Sequence, residues 1–361
     1  MKKTFFLIIF IPFFVNSQIK SDLKYYDKDF FLLEGTEIAD SLKENRYHRL
    51  PLSLKNIVRE PVWKLSKSSA GLSIRFLSNT TSIAVKWTVM NNNRMNHMPD
   101  TAVKGLDLYF NNNGNFQYLN TARPSGIENE FMLMQNMSNE MREYKMFLPL
   151  YDGVISIEVG IDSNSKIEKP SKNSSKPILF YGTSITQGCC ASRPGMAHTN
   201  IISRKLNTEV INFGFSGNGM MEQPINKLIS ESDPLLYVIE CLPNMSPQQV
   251  TDRTIPLVRT IRKRHAKTPI IFVESFIYDR SALDLEDKAI INQKNKALKV
   301  EYAKMIENGF NDVYFIGSKN ALGNDNEGTV DSVHFTDLGY MRYADYLIGK
   351  FVEFGLINIT D

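Results

Sequence analysis

Ile178-Leu179-Phe180-Tyr181-Gly182-Thr183-Ser184-Ile185-Thr186-Gln187-Gly188 is the stretch whose reading decides the fold. Four apolar residues run straight into a Gly/Ser/Thr turn, the pattern of a strand buried on both faces that leaves a sheet for a helix. The rhythm repeats downstream. Val210–Phe213, Leu235–Ile239, Pro269–Val273 and Val313–Ile316 are short apolar strands. They alternate with helical stretches at Met196–Leu206, Ile225–Ser230, Pro247–His265, Ala289–Asn308 and Leu338–Phe354. Such alternation predicts an α/β domain with a parallel sheet covered on both faces. In that architecture chemistry sits at the carboxyl ends of the strands.

Upstream the period is two. Gly71–Leu77, Ser82–Val89, Gly105–Phe110 and Val154–Val159 alternate or run apolar, separated by turn clusters such as Asn91-Asn92-Asn93 and Asn111-Asn112-Asn113-Gly114. Short strands between Asn/Gly turns predict an all-β sandwich. The polar, serine-rich run Ser163–Lys176, with Pro170, marks the boundary. The expected organisation is a sandwich over 18–163, a linker over 164–176 and an α/β domain over 177–361.

Residues 1–17 read as a cleaved signal peptide: Lys2 and Lys3, an apolar run from Phe5 to Val15, and Val15-Asn16-Ser17 as the small-residue cleavage site. The run is too short to span a bilayer, which takes ~20 apolar residues. No later segment would insert in a membrane either. An exported protein, periplasmic or extracellular, is expected. The net charge is only +3 and loses Lys2 and Lys3 with the leader, so a nucleic-acid partner is not expected. Cys189 and Cys190 are neighbours, and Cys241 ends an apolar run as a small buried hydrophobe; a long-range bridge from Cys241 to the vicinal pair is the alternative. His48, His97, His198, His265 and His334 show no ligand spacing, so no zinc site is expected.

Four motifs follow successive strands of the second half. Ser184 stands in a glycine-flanked turn that is neither a G-x-S-x-G elbow nor a P-loop. Gly217 lies in Gly214-Phe215-Ser216-Gly217-Asn218-Gly219, where backbone approaches a ligand closely. Asn244, in Cys241-Leu242-Pro243-Asn244-Met245, offers a side-chain N–H. Asp331 and His334 precede the last helix, a spacing that lets one carboxylate orient one imidazole; Asp337 is expected to cap that helix. Together these are the parts for acyl transfer: nucleophile, base, orienting acid and oxyanion donors.

In order and spacing, these blocks resemble the SGNH hydrolases, or GDSL esterases, whose Ser, Gly, Asn and His blocks correspond to Ser184, Gly217, Asn244 and His334. Gly105-Leu106-Asp107-Leu108-Tyr109 is similar to the G-x-D-L-Y signature of a β-domain that precedes such esterases in exported bacterial proteins. The first block reads Gly-Thr-Ser-Ile and the third lacks the usual aspartate after asparagine. The resemblance implies a flavodoxin-like three-layer hydrolase domain behind a jelly-roll-like sandwich. It implies a Ser184–His334–Asp331 triad, an oxyanion hole of Ser184, Gly217 and Asn244, and no metal or organic cofactor. It further implies short-chain, acetyl-type esters on polysaccharides such as xylan; Arg193, in Ser192-Arg193-Pro194-Gly195 just beyond the serine turn, is a candidate sugar contact. A lipase or lysophospholipase is the enzyme alternative, for which the sequence offers no lid. A carbohydrate-binding protein on a relic esterase fold is the non-enzyme one.

Overall fold

A computed structural model describes residues 22–358. The expected signal peptide lies outside the described residues. The N-terminal half carries β1 (Leu23–Tyr26), β2 (Leu32–Glu34), α1 (Glu60–Leu65), β3 (Ser73–Ser78), β4 (Ile83–Val89), α2 (Asp100–Val103), β5 (Leu106–Asn112), β6 (Asn115–Ala122), β7 (Glu128–Met134), β8 (Arg142–Phe147), β9 (Val154–Asp162) and β10 (Ile167–Glu168). These strands form two antiparallel sheets, β1-β9-β4-β7 and β10-β3-β8-β5-β6, with β2 added at β3. Alternate residues of both sheets, among them Ile74, Phe76, Val85, Trp87, Leu108, Tyr144 and Val159, close one core between them. Their two-residue period put one apolar row on one face. The expected linker is divided: Ile167 is buried in that core and β10 pairs with β3, so only the residues beyond Glu168 join the domains.

The second half is β11 (Ile178–Gly182), α3 (Ser184–Gln187), α4 (His198–Lys205), β12 (Val210–Gly214), α5 (Gln223–Ile229), β13 (Leu236–Glu240), α6 (Pro247–Arg262), β14 (Ile270–Val273), α7 (Leu285–Glu307), β15 (Val313–Ile316) and α8 (Asp337–Glu353). Its five strands are parallel in the order β12-β11-β13-β14-β15, the flavodoxin-like arrangement. The unbroken apolar strands now have a reason. Ile178 and Phe180 face a core shared with α4 and α8, while Leu179 and Tyr181 face another shared with α5, α6 and α7.

The two halves are not beads on a string. Met98, Ala102, Val103, Leu150 and Tyr151 complete the first of these cores, and Leu50, Val58, Val62 and Trp63 complete the second. Arg49 is the polar staple between the halves. Its buried guanidinium donates to the carbonyls of Leu65 and Ser68 on its own side and of Asn212 and Gly214 at the end of β12. It also lies over the Phe215 ring.

Candidate active site

Register places Gly182, Gly214 and Glu240 side by side at the ends of β11, β12 and β13. The loops after them therefore emerge together, carrying Ser184, Gly217 and Asn244. Ser184 is the first residue of α3. Thr183 caps this helix, accepting from Ile185 N–H at 3.4 Å, while Thr186 Oγ1 reaches back to Thr183 N–H at 3.3 Å. Such a reciprocal cap fixes the entry of the chain and hence the serine's direction.

His334 comes from the loop before α8. Its Nε2 stands 2.9 Å from Ser184 Oγ, and its Nδ1 stands 2.7 Å from Asp331 Oδ2. The other Asp331 oxygen accepts the N–H groups of Val333 and His334, at 3.1 and 2.8 Å. Ser332 adopts a left-handed φ of 73° between them, a local cost that turns both N–H groups onto the carboxylate. Burial pushes the Asp331 carboxyl up, but the His334 amide, its imidazole and the Val333 amide more than offset this and hold it below the ordinary range. A carboxylate on Nδ1–H leaves the Nε2 lone pair facing the serine hydroxyl.

Gly217 has φ of 67° with open space where a side chain would be. Glycine suits it both for the left-handed backbone and for access. The Asn244 amide is best served with its oxygen toward Asn218 N and Gly219 N, at 2.9 and 3.1 Å, which leaves its N–H groups as the donors on the opposite side.

Other expectations change. Arg193 does not face the serine turn as a free contact. It donates to Asp107 Oδ2 at 2.8 Å and Tyr109 OH at 2.5 Å, and stacks 4.0 Å from the Tyr118 ring centroid. Asp107 also accepts Gly195 N–H at 2.7 Å, and a Cβ on Gly195 would come within 2.1 Å of Tyr109 OH. The G-x-D-L-Y segment is thus a socket for the loop behind Ser184, and Arg193 is its plug. Asp337 is not the helix cap. Thr336 accepts Gly339 N–H at 3.1 Å in that role, and Asp337 takes the Ser192 amide at 2.8 Å and the Ser192 hydroxyl. All three cysteines are free, and Cys241 Sγ lies 3.5 Å from the Tyr181 carbonyl.

Glu240 was missed. Buried beneath the serine turn, it accepts Thr186 Oγ1 at 2.8 Å, meets His198 Nε2 at 3.1 Å and takes the Tyr343 hydroxyl. Burial raises its pKa, yet His198 and the two hydroxyls more than offset this, and the net shift is downward. A carboxylate closing an otherwise apolar strand was the available signal. His97 was missed too: it comes from the N-terminal half, on the turn closed by the Met95–Met98 bridge, and its ring lies 5.9 Å from that of His334.

Residues 175–351 match the model of the GDSL-like lipase/acylhydrolase family, and residues 23–167 match that of the N-terminal GxDLY domain of SGNH-hydrolase-type esterases. A solved GDSL-like lipase from Bacteroides ovatus ATCC 8483 is 33% identical over 94% of this chain and 100% of its own, with a TM-score of 0.89. The chain belongs to the GDSL-like lipase/acylhydrolase family. Two further structures share the fold of this GDSL-like hydrolase. The salicylyl-acyltransferase SsfX3 from a tetracycline biosynthetic pathway is 15% identical, covering 95% of this chain and 100% of its own, with a TM-score of 0.76. A family two carbohydrate esterase from Clostridium thermocellum is 13% identical, covering 80% and 94%, with a TM-score of 0.58. No curated protein matches the chain.

Proposed function

We propose that this GDSL-like hydrolase is an exported serine esterase that removes short acyl groups, acetyl foremost, from carbohydrates such as acetylated xylan. One observation carries the reading: Ser184 Oγ, the two His334 nitrogens and Asp331 Oδ2 stand in one hydrogen-bonded line, 2.9 and 2.7 Å between partners. His334 Nε2 takes the hydroxyl proton as Ser184 Oγ attacks the ester carbonyl, and Asp331 stabilises the imidazolium that forms. The tetrahedral oxyanion is held by the N–H groups of Ser184 and Gly217 and the Asn244 amide, each donor worth ~3 kcal/mol. The imidazolium then gives its proton to the departing sugar hydroxyl. Water, deprotonated by the same nitrogen, releases the acid and restores Ser184. No metal or organic cofactor enters the cycle.

A carbohydrate esterase among the fold neighbours supports a sugar leaving group. One feature favours the lipase reading instead. Leu283, on the connection between β14 and α7, is 93% exposed and Leu285, at the start of α7, is 71% exposed, and Arg280 N–H on that connection donates to Ser332 Oγ beside the histidine loop. An apolar lip there would suit a longer acyl chain. A series of p-nitrophenyl esters at fixed leaving group decides between the two, run beside acetylated xylan, pectin and mannan. We expect kcat/KM to fall from acetate through butyrate to near zero at octanoate, with acetate released from at least one polysaccharide. A maximum at eight carbons or more would favour the lipase.

A further inference from the structure

Histidine spacing along the chain gives no hint of a metal site, but the fold brings four soft ligand groups together. His97, Cys189, Cys190 and His334 each present a ligand atom, and these four atoms all lie within 4.8 Å of one another. The two sulfurs are 2.9 Å apart, and Cys189 Sγ is 3.5 Å from His97 Nε2. A tetrahedral zinc with Zn–S of about 2.3 Å and Zn–N of about 2.0 Å places its ligand atoms about 3.3–3.8 Å apart. The present separations bracket that span, so modest side-chain rotations would close the shell.

Chemistry agrees with geometry. Two thiols and two imidazoles are the soft S₂N₂ set that selects zinc or monovalent copper over the hard oxygen-loving cations. Both imidazoles are already oriented by a partner on Nδ1: Asn96 Oδ1 at 2.7 Å for His97 and Asp331 Oδ2 at 2.7 Å for His334. A ring nitrogen engaged in this way leaves Nε2 as the ligating atom, the usual arrangement at protein zinc sites. Both cysteines are buried and neither is held in a disulfide.

We propose that His97, Cys189, Cys190 and His334 bind zinc, and that the metal silences the esterase by taking His334 Nε2 away from Ser184. The inhibitory half rests on the reading of His334 as the base; the binding half does not. Binding sets two thiolate bonds and two imidazole bonds on zinc and releases the two thiol protons to solvent. The site also joins the domains, since His97 belongs to the N-terminal half.

The test uses full-length protein, reduced with a phosphine and stripped of metal. Cobalt(II) added to Ser184→Ala protein is expected to give thiolate-to-cobalt charge-transfer absorption and the intense visible bands of a tetrahedral centre, saturating at a single equivalent. Those bands should vanish in the Cys189→Ser/Cys190→Ser double variant. In His97→Ala, a change on a half-buried turn, affinity should fall about tenfold or more, since even outer partners of a ligand act on that scale. In otherwise wild-type protein, zinc should abolish ester turnover and a chelator should restore it. His97→Ala and Cys189→Ser should keep basal turnover while losing most of the zinc sensitivity. Absence of the charge-transfer band, or its survival without the cysteines, overturns the site. Bands that form as expected while zinc leaves turnover intact overturn the inhibition and leave the site standing. A protein with no ester turnover at all would fail the esterase reading, yet its cobalt spectrum would still judge the site.

Discussion

Ser184, Gly217 and Asn244 each stand within a few residues of the strand that delivers them, whereas Arg49, Asp107 and His97 reach the same region from across the domain boundary. The first group is local. A buried strand ends, the backbone turns, and register alone lines up three turns. The second group is built by packing: a guanidinium binding carbonyls of β12, a carboxylate holding Arg193 and Gly195, a histidine carried in on a turn. The local group should set the chemistry, and the packed group the stability and control of the site. Substitutions that separate activity from stability test that division.

The largest effect is expected at Ser184. Ser184→Ala should lower kcat by about 10⁴-fold or more, as removing the nucleophile does in serine hydrolases. The melting temperature should hardly move, because the cap of α3 is made by Thr183 and Thr186. Turnover of p-nitrophenyl acetate beside a thermal melt checks both halves, and near-normal turnover would remove the nucleophile assignment.

Asn244→Ala comes next. Losing one oxyanion donor should cost about 10²–10³ in kcat with little change in KM. A rise in KM at constant kcat would make Asn244 a substrate contact instead. Both variants act on residues that stood out in the sequence, because a turn after a buried strand is a local signature. The alternation of buried strands and helices, the sheet covered on both faces and the His334–Asp331 pairing were legible for the same reason, whereas the flavodoxin-like arrangement came only with the family resemblance. Arg193 was misread because nothing local distinguishes an arginine that meets substrate from one that fills a socket in the preceding domain. His97 and Arg49 left no trace at all: their roles exist only after two domains dock.

Arg49→Met should act on stability rather than chemistry. It keeps much of the buried apolar stem but leaves the carbonyls of Leu65, Ser68, Asn212 and Gly214 without this donor. Each unsatisfied buried group costs about 1–3 kcal/mol before relaxation, so a net loss of about 3 kcal/mol in urea unfolding is expected. The folded fraction should retain most of its kcat. A collapse of kcat with stability unchanged would place Arg49 in the chemistry and erase the division drawn above.

The smallest effect concerns acid. Glu240 beneath the serine turn and Glu34 in the sandwich are both held below the ordinary carboxylate value of 4.5: burial raises each, and their partners more than offset it, His198 with two hydroxyls for Glu240, Lys145 with Arg75 for Glu34. A depressed folded pKa means that the folded protein binds fewer protons than the unfolded chain. The stabilisation is therefore fully present above the unfolded value and is lost as pH falls through the folded one. Each group contributes at most about 1.4 kcal/mol per pH unit to that slope. Glu240→Gln should lower stability at neutral pH and flatten the loss below 4.5, and Glu34→Gln should do likewise. Glu240 alone should also disturb turnover, because Thr186 hangs from it and Thr186 caps the Ser184 turn. Urea unfolding and ester turnover between pH 3 and 7 separate the two sites. Equal effects on turnover from both glutamates would show that the sandwich governs Ser184 as closely as the sheet beneath it.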